Sequence, residues 1–350
     1  MKKQRLFIRD FEAGSYLEIF FISAVAAVLL IRLFLEITGY PQIGGTTLHI
    51  AHMLWGGLLM MAALFIVLSF LSKASNRLAA VLGGIGFGTF IDEVGKFVTQ
   101  DNDYFFQPAV ALIYIIFILI FLAIRTLHTR MGHSRKEYLM NALQEMEEVV
   151  LHDLDRMEKS KALHFLDKSD TEDPLVNALK DLLYKADLVP VAKPALLTRF
   201  KHFVRDSYQK VATTPWFHRS IIAFFLVQLV IKLTYAIVLV FFIGLGWQGI
   251  LRINIFRAIA EGMQTLSFIS GAQLASSLLS GLFVFCGIIR IRHSRLTAFR
   301  MFERSVLVSI FLTQIFIFYH EQFAALFGLT FNIMVLFALK YMIEQEKSKY

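Results

Sequence analysis

HIAHMLWGGLLMMAALFIVLSFL, His49 to Leu71, is the stretch on which the fold turns. Two histidines stand at its start, and no charged residue follows them before Lys73. An α-helix rises about 1.5 Å per residue, so such a run spans the roughly 30 Å hydrocarbon core of a bilayer. A soluble core helix of this length would carry a charged face, and this one carries none. The rest of the chain agrees: 57% of its 350 residues are hydrophobic, 35 of them Phe, and only 18% are charged. Mean hydropathy is +0.60.

Working outward, apolar runs of similar length predict helices near 16–38, 78–98, 106–125, 220–245, 264–289, 304–320 and 323–342. With the opening stretch this makes about eight crossings. Basic residues give the orientation. Lys2, Lys3, Arg5 and Arg9 precede the first run, and Lys73 and Arg77 follow the second. Arg125 and Arg130 follow the fourth, Arg290, Arg292, Arg295, Arg300 and Arg304 lie between the sixth and seventh, and Lys340, Lys347 and Lys349 end the chain. An even helix count puts all five groups on one face, which the positive-inside rule makes cytoplasmic. Both termini then face the cytoplasm. Arg252 and Arg257 are the exception, in a segment, Trp247–Gln264, that reads as a short interfacial helix. The net charge of +8 is read as loop orientation rather than as nucleic-acid binding. Cys286 is the only cysteine, which excludes an internal disulfide and a cysteine-based zinc site.

Residues 126–215 differ from their flanks. Acidic and basic residues alternate there, and leucines recur at helical spacing: Leu139, Leu143, Met146, Val150 and Leu154, then Leu175, Leu179, Leu182 and Leu183 after Asp173-Pro174. The expectation is a cytoplasmic bundle of about four helices, open to a protein partner. Leu197–Val211, with Pro215-Trp216-Phe217, reads as a basic amphipathic stretch on the inner membrane surface. The organisation is thus membrane helices in 1–125, a cytoplasmic helical domain in 126–215 and membrane helices in 216–350. The fold class is all-α. The two membrane groups share faint echoes: Ile31-Arg32-Leu33 with Ile231-Lys232-Leu233, Leu54–Leu58 with Leu278–Leu282, and Phe90–Glu93 with Phe318–Glu321.

Ionisable groups inside a membrane helix cost roughly 2.5–3.5 kcal/mol each on insertion scales, so their positions point to function. Here they gather at one depth, in the outer leaflet. His49 and His52 share a helix face by their i, i+3 spacing. Asp92, Glu93 and Lys96 end the third helix, Asp101 and Asp103 follow it, and Arg32 lies in the outer half of the first. Gly84 and Gly88 precede Asp92 on one stripe and predict a close helix contact, with Gly56 and Gly57 as the matching flat surface. His49, His52, Asp92, Glu93 and Asp103 form a nitrogen–oxygen donor set suited to Zn²⁺, Mn²⁺ or Fe²⁺. The same groups also read as a paired polar core, or as a path for ions. Lys232 in mid-bilayer, and the pair His320 and Glu321 near the outer interface, are the remaining intramembrane polar groups. The glycines of Gly83–Gly88 lie in an apolar helix without the Lys of a phosphate loop, so no nucleotide site is read.

The order His52, Gly56, a glycine-bearing helix ending in Asp92-Glu93, then Asp101 and Asp103, resembles the VanZ-like and YjdF-like bacterial membrane proteins over residues 45–115. Those have Asp-Lys shortly before the histidine, where Thr46-Thr47-Leu48 stands here, and a glutamine where Gly95-Lys96 stands. The resemblance implies a bacterial plasma-membrane protein and supplies no reaction. The leading functional expectation is an outer-leaflet site that binds a metal or a lipid headgroup. Were it catalytic, it would be a headgroup hydrolase or transferase with Glu93 or Asp92 as general base. The rivals are a small-solute or ion transporter, and a sensor or scaffold acting through 126–215.

Overall fold

The glycine stripe of the third apolar run organises the first half of the fold. The structure, a computed structural model, describes residues 8–39, 51–98, 106–129, 134–189, 215–245 and 268–347. All the regular elements among them are helical. Helices α1 (Ala13–Thr38), α2 (His52–Ser69) and α3 (Lys73–Asp92) pack with α3 in the middle. A Cβ at Gly84 would lie 2.3 Å from the Phe20 carbonyl oxygen, and one at Gly88 would lie 2.3 Å from that of Ala24. The α1 and α3 backbones therefore touch, which only glycine permits. On the other face of α3, a Cβ at Gly56 would lie 2.6 Å from the Gly86 carbonyl oxygen. Gly57, expected to share that surface, meets nothing within 4 Å.

The run expected over 78–98 is not one helix. It breaks at Glu93 (φ −89°, ψ 10°), and a short α4, Val94–Val98, follows. Next, α5 (Gln107–Thr129) buries Ala109, Val110, Ala111, Ile113 and Phe117.

Within 126–215 the described residues form three helices, α6 (Arg135–Val150), α7 (Arg156–Lys168) and α8 (Pro174–Lys185). Ser134 with Glu137, and Asp155 with Glu158, close reciprocal capping boxes, and Asp173 caps α8 ahead of Pro174. Ala142, Leu154, Ala162, Phe165, Leu166, Val176 and Leu183 make their core, with Leu139, Met146, Val149 and Leu179 against it. Leu143, Val150, Leu175 and Leu182 of the predicted stripes are exposed instead. The apolar face of α6 is completed by Ala142 and Val149, which a reading by leucine spacing passes over. Phe11, from the segment before α1, also enters this core, edge-on to Tyr138 and Phe165.

The second half contains α9 (Pro215–Leu245), α10 (Phe268–Arg290), α11 (Arg295–Val308), a π-helical turn at Ser309–Thr313, α12 (Gln314–Glu321) and α13 (Ala325–Lys347). Pro215-Trp216-Phe217 opens α9 rather than lying apart from it, as proline at a first helical turn permits. Arg295, Arg300 and Arg304 lie on α11, whose cap is Ser294, and not in a loop. The core is Phe225, Val284, Phe299, Phe302, Val306, Leu339 and Met342 with their neighbours, and Phe225 stacks flat on Phe302 at 4.5 Å. At the π turn the Ile310 carbonyl oxygen accepts a 2.7 Å bond from the Tyr114 hydroxyl. A buried serine cluster, Ser280 with Ser305 and Ser309, sits beside it. Side-chain insertion of this kind is what opens an α-helix into a π turn.

The chain divides into two compact units, Met1–Tyr104 with Ile116–Pro194, and Phe105–Ile115 with Ala195–Tyr350. Five described helical segments are long and apolar enough to cross a membrane: Ala13–Thr38, His52–Ser69, Pro108–Thr126, Phe268–Arg290 and Arg295–Lys347. The glycine-rich α3 is not among them. Its buried face is used up between α1 and α2.

Candidate functional site

The break at Glu93 builds the site. In a continuous helix, adjacent side chains diverge by about 100° and cannot both face the same pair of neighbours. Here α3 ends on Asp92, which turns to α1, and the following turn sends Glu93 to α2. Both carboxylates are fully buried.

Each is held by a helix end as well as by a cation. Arg32 donates from Nε to Asp92 Oδ1 at 2.5 Å and from Nη2 to the Asp92 carbonyl oxygen at 2.9 Å. A cation at a helix C-terminus answers the partial negative charge there. Glu93 takes the complementary place. The N-cap of α2 is Ala51, whose side chain has nothing to offer. Glu93 Oε2 instead accepts from the Met53 amide at 2.9 Å, putting an anion at the helix N-terminus from a neighbouring element. Lys96 Nζ donates to Glu93 Oε1 at 2.5 Å.

His52 lies between the two. Its Nε2 faces Asp92 Oδ2 at 3.1 Å and its Nδ1 faces Glu93 Oε1 at 3.3 Å. A neutral imidazole has one N–H and can donate to only one carboxylate.

The arrangement bears on the metal expectation. The two carboxylates lie against opposite ring nitrogens, so a metal bound to one nitrogen meets only one of them. Among the described residues no group of three or more His, Cys, Asp or Glu is arranged to hold a metal ion. His49 and Asp103 of the predicted donor set lie outside the described residues, as does Asp101. Lys232 falls within α9, and its side chain lies outside the description. His320 and Glu321 are exposed at the C-terminal end of α12.

A second polar cluster in the same unit has no counterpart among the sequence-derived candidates. Lys73 Nζ, nearly buried at the start of α3, lies 2.8 Å from Glu145 and 3.2 Å from Glu148, both on α6. Lys161 of α7 reaches Glu145 at 2.8 Å and also bonds Glu12. Burial alone would lower the Lys161 pKa, but its bonds to Glu12 and Glu145 raise it overall. Nearby, Arg9 makes a two-point contact with Glu137, and Asn141 binds the backbone at Arg9 and Phe11. That Arg9 hydrogen bond, with the Ser134 amide next, holds the Glu137 carboxyl at about 2. Each of these residues looks like ordinary solvated charge in the sequence. Only Asn141, a polar residue on the core side of α6, offered a signal.

Comparison with protein-family models, curated proteins and solved structures finds no match to the chain.

Proposed function

We propose that this chain is an integral plasma-membrane protein. Its working site is the Arg32–Asp92–His52–Glu93–Lys96 cluster, and its ligand is the anionic headgroup of a lipid. Membrane insertion is supported by the five long apolar segments. It is supported too by the outer faces of α1 and α2, where Leu30, Leu33, Ile37, Leu64, Phe65 and Leu68 are all exposed.

One observation carries the ligand class. The side chains of Arg32, Lys96 and His52 keep 13%, 20% and 28% of their surface, while both carboxylates keep none. A ligand approaching the site meets cationic and protonable groups first. An anion suits that rim, whereas a metal ion would seek the carboxylates beneath it. His52, held by a carboxylate on each nitrogen, is placed to move a proton at a bound headgroup. A conduction path is less favoured, because below the cluster α3 lies directly on the α1 backbone at Gly84 and Gly88. The resemblance to VanZ-like proteins points to the same facing pair, His52 and Glu93.

The test is lipid retention. Protein in phosphatidylcholine nanodiscs doped with phosphatidylglycerol is diluted into pure phosphatidylcholine, and bound lipid is counted by native mass spectrometry. Wild type should keep phosphatidylglycerol and Lys96→Gln should lose it about tenfold faster, in line with the loss of one charge-assisted contact. Equal retention by both overturns the headgroup reading. A chelator that lowers the wild-type melting temperature, with metal found in the purified protein, would replace it by a metal site.

A further inference from the structure

The second unit carries a different kind of charge cluster. On α11, Arg300 and Arg304 are four apart and so share a face; on α13, Lys340, Glu344 and Lys347 recur at i, i+4 and i+7 and share another. Behind them Phe299, Phe302, Val306, Leu339, Met342 and Ile343 belong to one apolar core. That core fixes the two helices side by side, so the basic faces cannot spread apart to relieve their repulsion. Between them is a cavity of about 260 Å³, lined by Arg300, Glu303, Arg304, Lys340, Glu344 and Lys347 with Ile343. Four cations against two carboxylates leave a net charge of +2 on the cavity wall.

These charges do not neutralise one another. Among the described residues, the ion pairs form elsewhere, and none joins Arg300, Arg304, Lys340 or Lys347 to Glu303 or Glu344. Held unpaired around one small cavity, like charges cost energy, and a multiply charged anion recovers it. Two arginines offer planar forks that match phosphate oxygens, and two lysines add point charges. The volume is at the small end for ligand pockets and suits a headgroup rather than a larger cofactor.

We propose that this cavity binds a phosphate group, taken from a phosphomonoester lipid headgroup or from a free phosphate. The flanking Arg290, Arg292 and Arg295 put the site at the end of the unit that the positive-inside rule assigns to the cytoplasmic leaflet. It is separate from the His52 cluster in residues and in unit.

Full-length protein in phosphatidylcholine nanodiscs provides the test, with phosphatidic acid or inorganic phosphate as the probe and melting temperature and native mass spectrometry as readouts. Phosphatidic acid should raise the melting temperature and remain bound. Arg300→Gln/Arg304→Gln should weaken binding about tenfold or more, since it removes both guanidinium forks from the cavity wall. Both residues are exposed, so the variant should fold. Arg292→Gln, exposed and outside the cavity, should bind as wild type does. A response to inorganic phosphate but not to phosphatidic acid supports the site and names the free anion as its ligand. Silence with both probes, or an equal loss in Arg292→Gln, overturns the proposal and leaves a diffuse basic surface.

Discussion

The two polar clusters of the first unit are built with opposite polarity. Around His52 the carboxylates form the buried centre and the cations the rim: Asp92 and Glu93 have no exposed surface, while Arg32 and Lys96 retain some. Around Lys73 a nearly buried ammonium is surrounded by Glu145, Glu148 and, at 3.9 Å, Glu158. The first cluster ties three apolar helices at one end. The second ties the start of α3 to the polar helices α6 and α7 and, through Lys161 and Glu12, to the segment before α1. The contrast teaches where each set of charges comes from. The His52 cluster uses helix ends as partners, so α2 and α3 supply part of its neutralisation. The Lys73 cluster relies on side chains alone and needs more of them.

The largest effect is expected from the packing that places Asp92 beside Arg32. Gly88→Leu should abolish the folded protein or lower its melting temperature severely. The added side chain meets the α1 backbone, a contact harsher than the overpacking that ordinarily costs roughly 1–3 kcal/mol. Gly57→Ala should be neutral, because its Cβ enters open space. If Gly88→Leu melts like wild type, α1 and α3 are not in contact and the His52 cluster is wrongly assembled.

A smaller effect sharpens the contrast. Asp92→Leu removes the buried carboxylate facing Arg32 and should cost about 3–5 kcal/mol, the range for breaking a buried pair by removing one partner. Arg32→Met/Asp92→Leu should regain most of that loss, since an apolar pair needs no compensation. Lys73→Met strands several carboxylates at once, and no single second substitution should rescue it. Guanidinium or thermal unfolding of the four variants decides the matter. Rescue at Lys73 by Glu145→Leu alone would show that the two clusters are alike.

The smallest effect is on pH. Glu137 is held at about 2 against an ordinary 4.5. Its folded form thus releases the proton more readily than the unfolded chain does. The stability it adds is complete above pH 4.5 and is lost as pH falls toward 2. Glu137→Gln should flatten that part of the melting-temperature curve and leave the neutral region nearly parallel to wild type. An unchanged acid limb in the variant would mean that the Arg9 contact contributes nothing to folding.

Sequence alone determined the helical class, since runs such as His49–Leu71 are too long and too apolar for anything but a helix in a membrane or a buried core. It also singled out Arg32, His52, Asp92, Glu93 and Lys96, because an ionisable residue in an apolar run is visible without any knowledge of its neighbours. The start of α8 at Asp173-Pro174 was legible for a similar reason: capping is a local contact between residues two or three apart. Tertiary structure decided the partners. That Asp92 turns to Arg32 and Glu93 to the Met53 amide of α2 depends on a break at Glu93 that no proline marks. That Lys73 is buried depends on Glu145, 72 positions away. That Phe11 belongs to the core of α6–α8 depends on a segment folding back over more than a hundred residues. Periodicity records which face of a helix avoids water. It carries no record of which distant charge will meet that face, because pairing energy depends on distance in space, and the chain sets that distance only once it has folded.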